Sequence, residues 1–441
     1  MRDAQSISGG KAKELPRNRP KPREDAPAAK LPALPQPIAE LLHSSPDGPV
    51  DSVLAAIVIA LIGFGVVMVY SSSAVDATTR FHDGQFYLKR QAVYAVMALI
   101  ALWVASRLDF RRLKVLTYPV LVSVAGMLTL TITGFGHRAG NANRWLNLGP
   151  VHIQPSELAK LAIVMWLAYS LSKKADQIRS FAVGFLPHLF VCGVFMLLCL
   201  KQPDFGSAVV LLFLTFTMLF VAGARVPYIA AFTMLMGLGA AAAVRFSSYR
   251  YARYVSWIDM ESHRDGLAYQ PFQSVMSFGS GGTYGLGLGR GLQVLYLPEA
   301  HTDFISAIIG EELGFIGILV IAGAYLTIVA RGVKIAFQAA DDYGSFLAFG
   351  ISTLFGVQAL VNLCVAMAIL PTKGLTLPFI SYGGSSLLVN AAAVGVLLSI
   401  SRPRRKKELP APAKSQSDAE VLAPSATGVV LSEADQKEAG W

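Results

Sequence analysis

The 441-residue chain is 54% hydrophobic and only 15% charged, with a mean hydropathy of +0.50, a balance that excludes an ordinary soluble domain with a charged surface. Its net charge of +10 does not point to nucleic acid, because the basic residues are split among short segments between apolar runs. Cys192, Cys199 and Cys364 all fall inside apolar stretches and read as packing residues, not as a disulfide or metal set.

Residues 1–50 hold nine prolines, eight Lys/Arg before residue 31 and no sustained hydrophobic period. Such a segment cannot bury enough surface to order itself, so it reads as a flexible cytoplasmic tail. It lacks the features of a signal peptide, and the run from Val53 to Tyr70 is expected to be an uncleaved anchor. A bilayer-spanning helix needs roughly 20 mostly apolar residues. Spans are predicted near 52–71, 91–107, 115–134, 157–172, 182–200, 206–223, 227–245, 304–330, 344–370 and 380–401. Residues 403–441, rich in Ala, Ser, Pro and Glu, read as a second tail.

The fold expected is therefore an all-α polytopic membrane protein of about ten transmembrane helices over residues 51–402. Arg107, Arg111, Arg112 and Lys114, then Lys173, Lys174 and Arg179, then Arg225, then Arg331 and Lys334, and finally Arg402 to Lys407 fall on alternate connections. A Lys/Arg bias of this kind marks the cytoplasmic side and places both termini there. The connections between, including the long 246–303 loop between the seventh and eighth spans, then face outward. That loop far exceeds the usual length, and its Tyr, Trp, Phe and Gly content makes it a candidate active-site cover.

Four segments carry residues suited to chemistry. Arg144 to Lys160 joins an outer loop to the fourth span; Pro155 and Ser156 are good helix-start residues, and Glu157 and Lys160 stand three apart on one face. They form an ion pair, or Lys160 or Arg144 binds an anionic headgroup. Asp204 follows the Lys201-Gln202-Pro203 turn, and Arg245, Arg250 and Arg253 open the long loop, where they serve an anionic substrate or snorkel to lipid headgroups. The sharpest segment is Tyr296-Leu-Pro-Glu-Ala-His-Thr-Asp-Phe304, which runs into an apolar helix holding Glu311 and Glu312. Glu299, His301, Thr302 and Asp303 sit together at its water boundary; Thr302 or Asp303 is also suited to cap the helix. A helix continuous from Asp303 places Glu311 roughly 12 Å further in, where ionisable groups need a cavity or a partner.

The glycine-rich stretch 279–290 lacks a Gly-Lys-Ser/Thr ending, so a nucleotide site is not expected. Its backbone N–H groups either approach a pyrophosphate or serve tight turns. In the last segment, Pro371 to Ser386, proline and paired glycines interrupt an apolar helix, and such backbone at membrane depth lines a cavity or is buried. Lys373, Ser381 and Ser385 are its candidate ligands.

Taken in order, Arg144-Trp-Leu with Gln154-Pro-Ser-Glu-Leu-Ala-Lys160, Gln202-Pro-Asp-Phe-Gly-Ser207, Pro298-Glu-Ala-His-Thr-Asp-Phe304 and Ser381-Tyr-Gly-Gly-Ser-Ser386 resemble the SEDS (shape, elongation, division, sporulation) family across the whole core. Pro371-Thr-Lys-Gly-Leu-Thr-Leu-Pro-Phe-Ile380 resembles its division-type branch, FtsW. The resemblance implies a peptidoglycan glycosyltransferase that polymerises lipid II at the outer face of the bacterial inner membrane, at the division septum. It places the essential acid at Asp303, which would take the proton from an attacking sugar hydroxyl. An α-linked donor and β-linked product imply a single inverting displacement of undecaprenyl pyrophosphate. Charge on that leaving group calls for cations, with Arg144, Lys160, Lys373 or a bound Mg2+ or Mn2+ in that role; no organic cofactor is expected. The implied partners are a class B penicillin-binding transpeptidase of the FtsI type, membrane lipids and other division-complex proteins, with no nucleic acid. Two rival readings, a lipid II flippase and a non-catalytic scaffold, stay open on the residues alone.

Overall fold

The protein is described from a computed structural model, which covers residues 48–133, 137–139, 142–148, 151–372 and 374–402. The predicted tails lie almost wholly outside these residues. Every predicted span coincides with a helix: α1 Ser52–Phe81, α2 Phe86–Arg107, α3 Arg112–Ile132, α4 Pro155–Lys173, α5 Leu186–Lys201, α6 Phe205–Val221 and α7 Val226–Arg245. After the long loop come α10 Ile305–Gln338, α11 Asp342–Ala366 and α12 Gly384–Ser401, the loop itself contributing α8 Ser248–Ile258 and α9 Tyr269–Gly281. Among the described residues seven helical segments are long and apolar enough to cross a bilayer, counting the π-turn Phe181–Phe185 with α5, and two shorter apolar helices cover Phe205–Val221 and Val226–Ala242.

Helices α4, α11 and α12 form the centre. They are buried on most of their circumference, whereas α2, α3 and α5 turn large apolar side chains outward, such as Val93, Trp103, Val122 and Phe190. In water those faces would be an association hazard; against lipid tails they cost nothing. Helix α12 packs chiefly on α2, α10 on α11 and α1, and α11 also on α4 and α6.

Alternating helix directions gather ionic groups at two ends. At one end Asp51 caps α1, accepting from Leu54 N at 3.0 Å, and pairs with Arg331 at 2.7 Å. Asp341 caps α11 there and lies 3.2 Å from Lys114. At the opposite end, where α10 begins, lie Asp303, Asp204, Glu157 and Lys160, and the buried Glu311 and Glu312 follow within the first turns of α10.

Two features depart from the expectation. The connection between α3 and α4 holds a three-stranded antiparallel sheet, β1 His137–Ala139, β2 Ala142–Leu148 and β3 Val151–Ile153, with Leu146 paired to Ile153 and Asn147 to His152. The chain is mostly helical, not all-α, because these short segments between turn residues are too brief to span and pair with one another instead. Second, α10 is not continuous: Gly314 adopts φ 68°, ψ −166° and breaks it.

The glycine-rich loop after α9 fills that break. Leu286 N donates to Glu311 O (3.0 Å) and Gly287 N to Glu312 O (2.9 Å), while Phe315 N and Ile316 N donate to Gly282 O and Thr283 O. These loop amides are thus spent on helix carbonyls and do not face a pyrophosphate. At Gly285, φ is 81° and a Cβ would collide with the Glu312 carbonyl, so neither the conformation nor the space admits a side chain. Gly285→Ala is expected to destabilise the protein by about 2–4 kcal/mol. Gly279→Ala, in α9 with open space around the added methyl, should leave stability within about 1 kcal/mol or raise it. Chemical denaturation in detergent micelles checks both.

Candidate active site

The site is built where three irregular segments meet, each ending or beginning a helix. The first, 298–304, turns tightly through Glu299, whose φ of 56° lets its carbonyl accept from Thr302 N at 3.2 Å. The second, 367–383, is the interrupted stretch between α11 and α12. The third is the α5–α6 turn at 202–204, with β2 beside it.

Asn362, near the end of α11 and almost wholly buried, joins the first two. Its Nδ2 donates to Asp303 O at 3.0 Å and to Leu375 O at 2.6 Å, while its Oδ1 accepts from Ser306 Oγ at 2.9 Å. Ser381 adds a second clamp: its Oγ donates to Thr302 O at 2.6 Å and accepts from Leu377 N at 2.8 Å. Tyr382 N donates to His301 O at 2.9 Å. Three successive carbonyls, of His301, Thr302 and Asp303, are therefore held by the 362–382 region.

This anchoring leaves the Asp303 side chain for other work. The helix starts at Ile305 with Phe304 as its cap residue and no side-chain cap bond, so neither Thr302 nor Asp303 is the N-cap that the sequence suggested. Thr302 Oγ1 donates to Glu299 Oε2 at 2.9 Å instead. The Asp303 carboxylate lies against Gly374, where an added Cβ would come within 2.8 Å of Oδ2. Burial, reinforced by the nearby charge of Glu299 and, more weakly, of Asp204, pushes the Asp303 carboxyl up to about 7, against the opposing pull of Arg144. The same burial lowers His301, which stays neutral at pH 7.

Arg144 projects from β2, its Nε donating to Gln202 O at 3.1 Å and its Nη2 to Pro203 O. Two backbone carbonyls thus aim the guanidinium and fix it to the turn that carries Asp204. Asp204 is buried and caps α6, accepting from Ser207 N at 3.1 Å and Ser207 Oγ at 2.8 Å. Arg144, Asp204, Glu299 and Asp303 therefore form one electrostatic group.

Glu157 and Lys160 form the expected ion pair at 2.7 Å, with only 5% and 1% of their side chains exposed. Ser386 Oγ donates to Glu157 Oε2 at 3.1 Å, and Asn390 Nδ2 donates to Ser386 Oγ at 3.2 Å, so the pair belongs to a buried network joining α4 to α12. Its geometry is that of a structural pair, not of an open headgroup site. Ser385 Oγ accepts from Gln154 N at 3.3 Å just before α4. His301 packs its ring on Tyr87 and Tyr382. Glu311 caps the loop before the Asp303 segment, accepting from Leu292 N at 2.8 Å and Gln293 N at 3.1 Å, and Ser71 Oγ donates to Glu312 Oε1 at 2.6 Å. Lys373 and the side chain of Arg250 lie outside the described residues.

Sequence reasoning missed Asn362, Tyr87 and Tyr382. Asn362 left a readable trace, a polar amide inside an apolar span; Tyr382 lay inside the quoted 381–386 motif without being singled out, and Tyr87 left no trace. Among the described residues no three His, Cys, Asp or Glu side chains converge as a metal-ligating group.

Fold and site together define a multi-pass helical membrane protein with one protonatable carboxylate held near the end of its bundle. The family model described as "Cell cycle protein", which groups FtsW, RodA and SpoVE, matches residues 52–406, and the chain belongs to that family. A relative from Trichlorobacter lovleyi, named "Probable peptidoglycan glycosyltransferase FtsW", is 46% identical over 353 residues, 80% of this chain and 93% of the relative. "Stage V sporulation protein E" of Bacillus subtilis is 40% identical over 358 residues, covering 80% and 98% of the two chains. Among solved structures, a chain of a peptidoglycan synthase complex superposes with a TM-score of 0.69 at 29% identity, over 81% of this chain and 99% of that one. The rod shape determining protein RodA of Thermus thermophilus gives 0.60 at 29% identity, over 81% and 98%.

The electrostatic group yields a direct expectation. In infrared difference spectra, the Asp303 carboxyl band, identified by its loss in Asp303→Asn, should titrate near pH 7. Removing the Glu299 charge in Glu299→Gln lowers that midpoint, and removing the cation in Arg144→Gln raises it.

Proposed function

We propose that the protein is a septal peptidoglycan glycosyltransferase, which joins lipid II units into glycan chains at the outer face of the bacterial inner membrane during division. The observation that carries this reading is Asp303: a single anchored carboxylate with a pKa near 7, beside a guanidinium, where α10 begins. A base poised near the working pH combines a useful ionised fraction with enough basicity to accept a proton.

In this mechanism the ionised Asp303 takes the proton of the acceptor sugar's hydroxyl as its oxygen attacks the anomeric carbon of the donor. The bond from that carbon to the pyrophosphate oxygen breaks, its electron pair leaving with undecaprenyl pyrophosphate, and the configuration inverts. The leaving group departs as a stabilised anion, so the second, proton-donating carboxylate of a glycosidase is not required. Arg144 neutralises charge developing on the pyrophosphate. Glu157 and Lys160 hold α4 against α12, Ser381 and Thr302 fix the loop, and Ser385 supports the start of α4. Lys373 and Arg250 supply further cations at the outer surface. A divalent cation, Mg2+ or Mn2+, arriving with the substrate pyrophosphate would share the neutralisation of its charge, since no group of protein ligands for it converges among the described residues.

The topology that suits this reading has ten spans, both termini cytoplasmic and the 246–303 loop outside. A class B transpeptidase of the FtsI type packs against the bundle and crosslinks the chains as they emerge. A flippase would need charges through the whole membrane depth; the buried charges among the described residues gather instead at the two ends, Asp204, Glu157, Lys160, Glu311 and Glu312 toward Asp303 and Asp51 and Asp109 at the other.

Purified protein with its cognate transpeptidase should polymerise labelled lipid II. Asp303→Ala and Asp303→Asn should lower the rate at least about a hundredfold, the lower range for a lost general base, with complex formation intact. Normal polymerisation by both variants would overturn the reading and favour the flippase or scaffold.

A further inference from the structure

Beside Asp303 lies a second group of side chains that the mechanism above does not use. The His301 ring is centred 4.5 Å from that of Tyr87 and 5.6 Å from that of Tyr382, and the two tyrosines are 5.1 Å apart. All three are half-buried, so this aromatic corner keeps an open side. Arg90, one turn along α2, is exposed, lies 4.3 Å over the Phe86 ring and is near enough to Tyr382 to act on its hydroxyl.

The next side chain along α2 is Gln91. It is wholly buried, yet neither its Oε1 nor its Nε2 has a hydrogen-bond partner. A primary amide left so costs about 1–3 kcal/mol per unsatisfied group, and each one in a native structure calls for an explanation. Gln91 stands four residues after Tyr87, on the same helix face, and long helical side chains lean back over the preceding turn. That direction leads from Gln91 back toward the turn of α2 that carries Tyr87.

Stacking rings, a free amide that both donates and accepts, and an exposed guanidinium match the parts of a sugar carrying an anionic substituent: apolar ring face, hydroxyl and amide groups, and phosphate. We infer that Tyr87, Gln91, His301 and Tyr382, with Arg90 at the rim, form a saccharide subsite for the acceptor, the lipid-linked substrate whose hydroxyl gives its proton to Asp303. The inference rests on the glycosyltransferase reading. The assignment to the acceptor follows from placement. Arg144, aimed by the 202–204 turn, serves the departing pyrophosphate, whereas the aromatic corner is built on α2, the 298–304 turn and the 382 region. His301 belongs to the same tight turn as Asp303, so a sugar packed on its ring is held next to the base.

The test varies two lipid II species separately in polymerisation by the complex with the transpeptidase. One is lipid II whose nucleophilic hydroxyl is capped with galactose, a donor only; the other is native lipid II, present as acceptor. Arg90→Ala and Gln91→Leu should each raise the KM for the acceptor roughly five- to tenfold, equivalent to one lost hydrogen bond, with the KM for the capped donor unchanged. A rise confined to the donor, an equal rise for both, or no rise overturns the assignment. Arg90 is exposed, so its variant keeps the test valid should Gln91→Leu misfold. Failure of the native complex to polymerise at all would instead sink the glycosyltransferase reading itself.

Discussion

Irregular backbone near a bilayer needs an internal partner for every N–H and C=O, since lipid offers none. In this protein the amide of Asn362 meets the requirement at the most sensitive point. It supplies both its protons to carbonyls of two separate non-helical segments, at Asp303 and Leu375, and takes the proton of Ser306. Without it two carbonyls and a hydroxyl would lose partners together, and the segment carrying Asp303 would be held to the 374–382 segment only through Ser381 and Tyr382.

The same constraint is met again along α10. The break at Gly314 frees helix carbonyls, the glycine-rich loop brings amides to them, and Glu311 caps the next stretch of that loop through Leu292 and Gln293. Buried carboxylates at membrane depth, costly by themselves, thus serve as acceptors for backbone that would otherwise be unsatisfied. The route from α9 through the loop to Asp303 is fixed by these bonds, so the Asp303 carboxylate, which is not engaged in such support, is presented in a constant place. Its burial beside Glu299, only partly offset by Arg144, raises its affinity for a proton.

Much of this was legible in the sequence. Each apolar run became a helix because spanning length and composition leave little choice, and the Glu157–Lys160 pair followed from a three-residue spacing on α4. The Asp303 motif was visible as a cluster of polar residues at the mouth of an apolar helix. What was hidden depends on contacts distant in sequence. The role of the glycines at 281–291 is set by a break more than twenty residues later, and the pairing of Tyr87 with His301 joins residues over two hundred apart. Capping at Thr302 or Asp303 was a sound local expectation, overridden because Ser381 and Asn362 hold the turn from outside. The small sheet before α4 was missed because its strands are short and its side chains give no lasting alternation.

The central claim is that Asp303 acts as a base whose proton affinity the fold has raised. The measurement that tests it most directly is the pH dependence of kcat/KM for lipid II polymerisation, which reports groups in the free enzyme. Since the base must be ionised, the rate should fall about tenfold per pH unit below a midpoint near 7, and the midpoint should move down in Glu299→Gln. A profile flat from pH 5 to 8, or one whose acid limb ignores the Glu299 charge, would contradict the account.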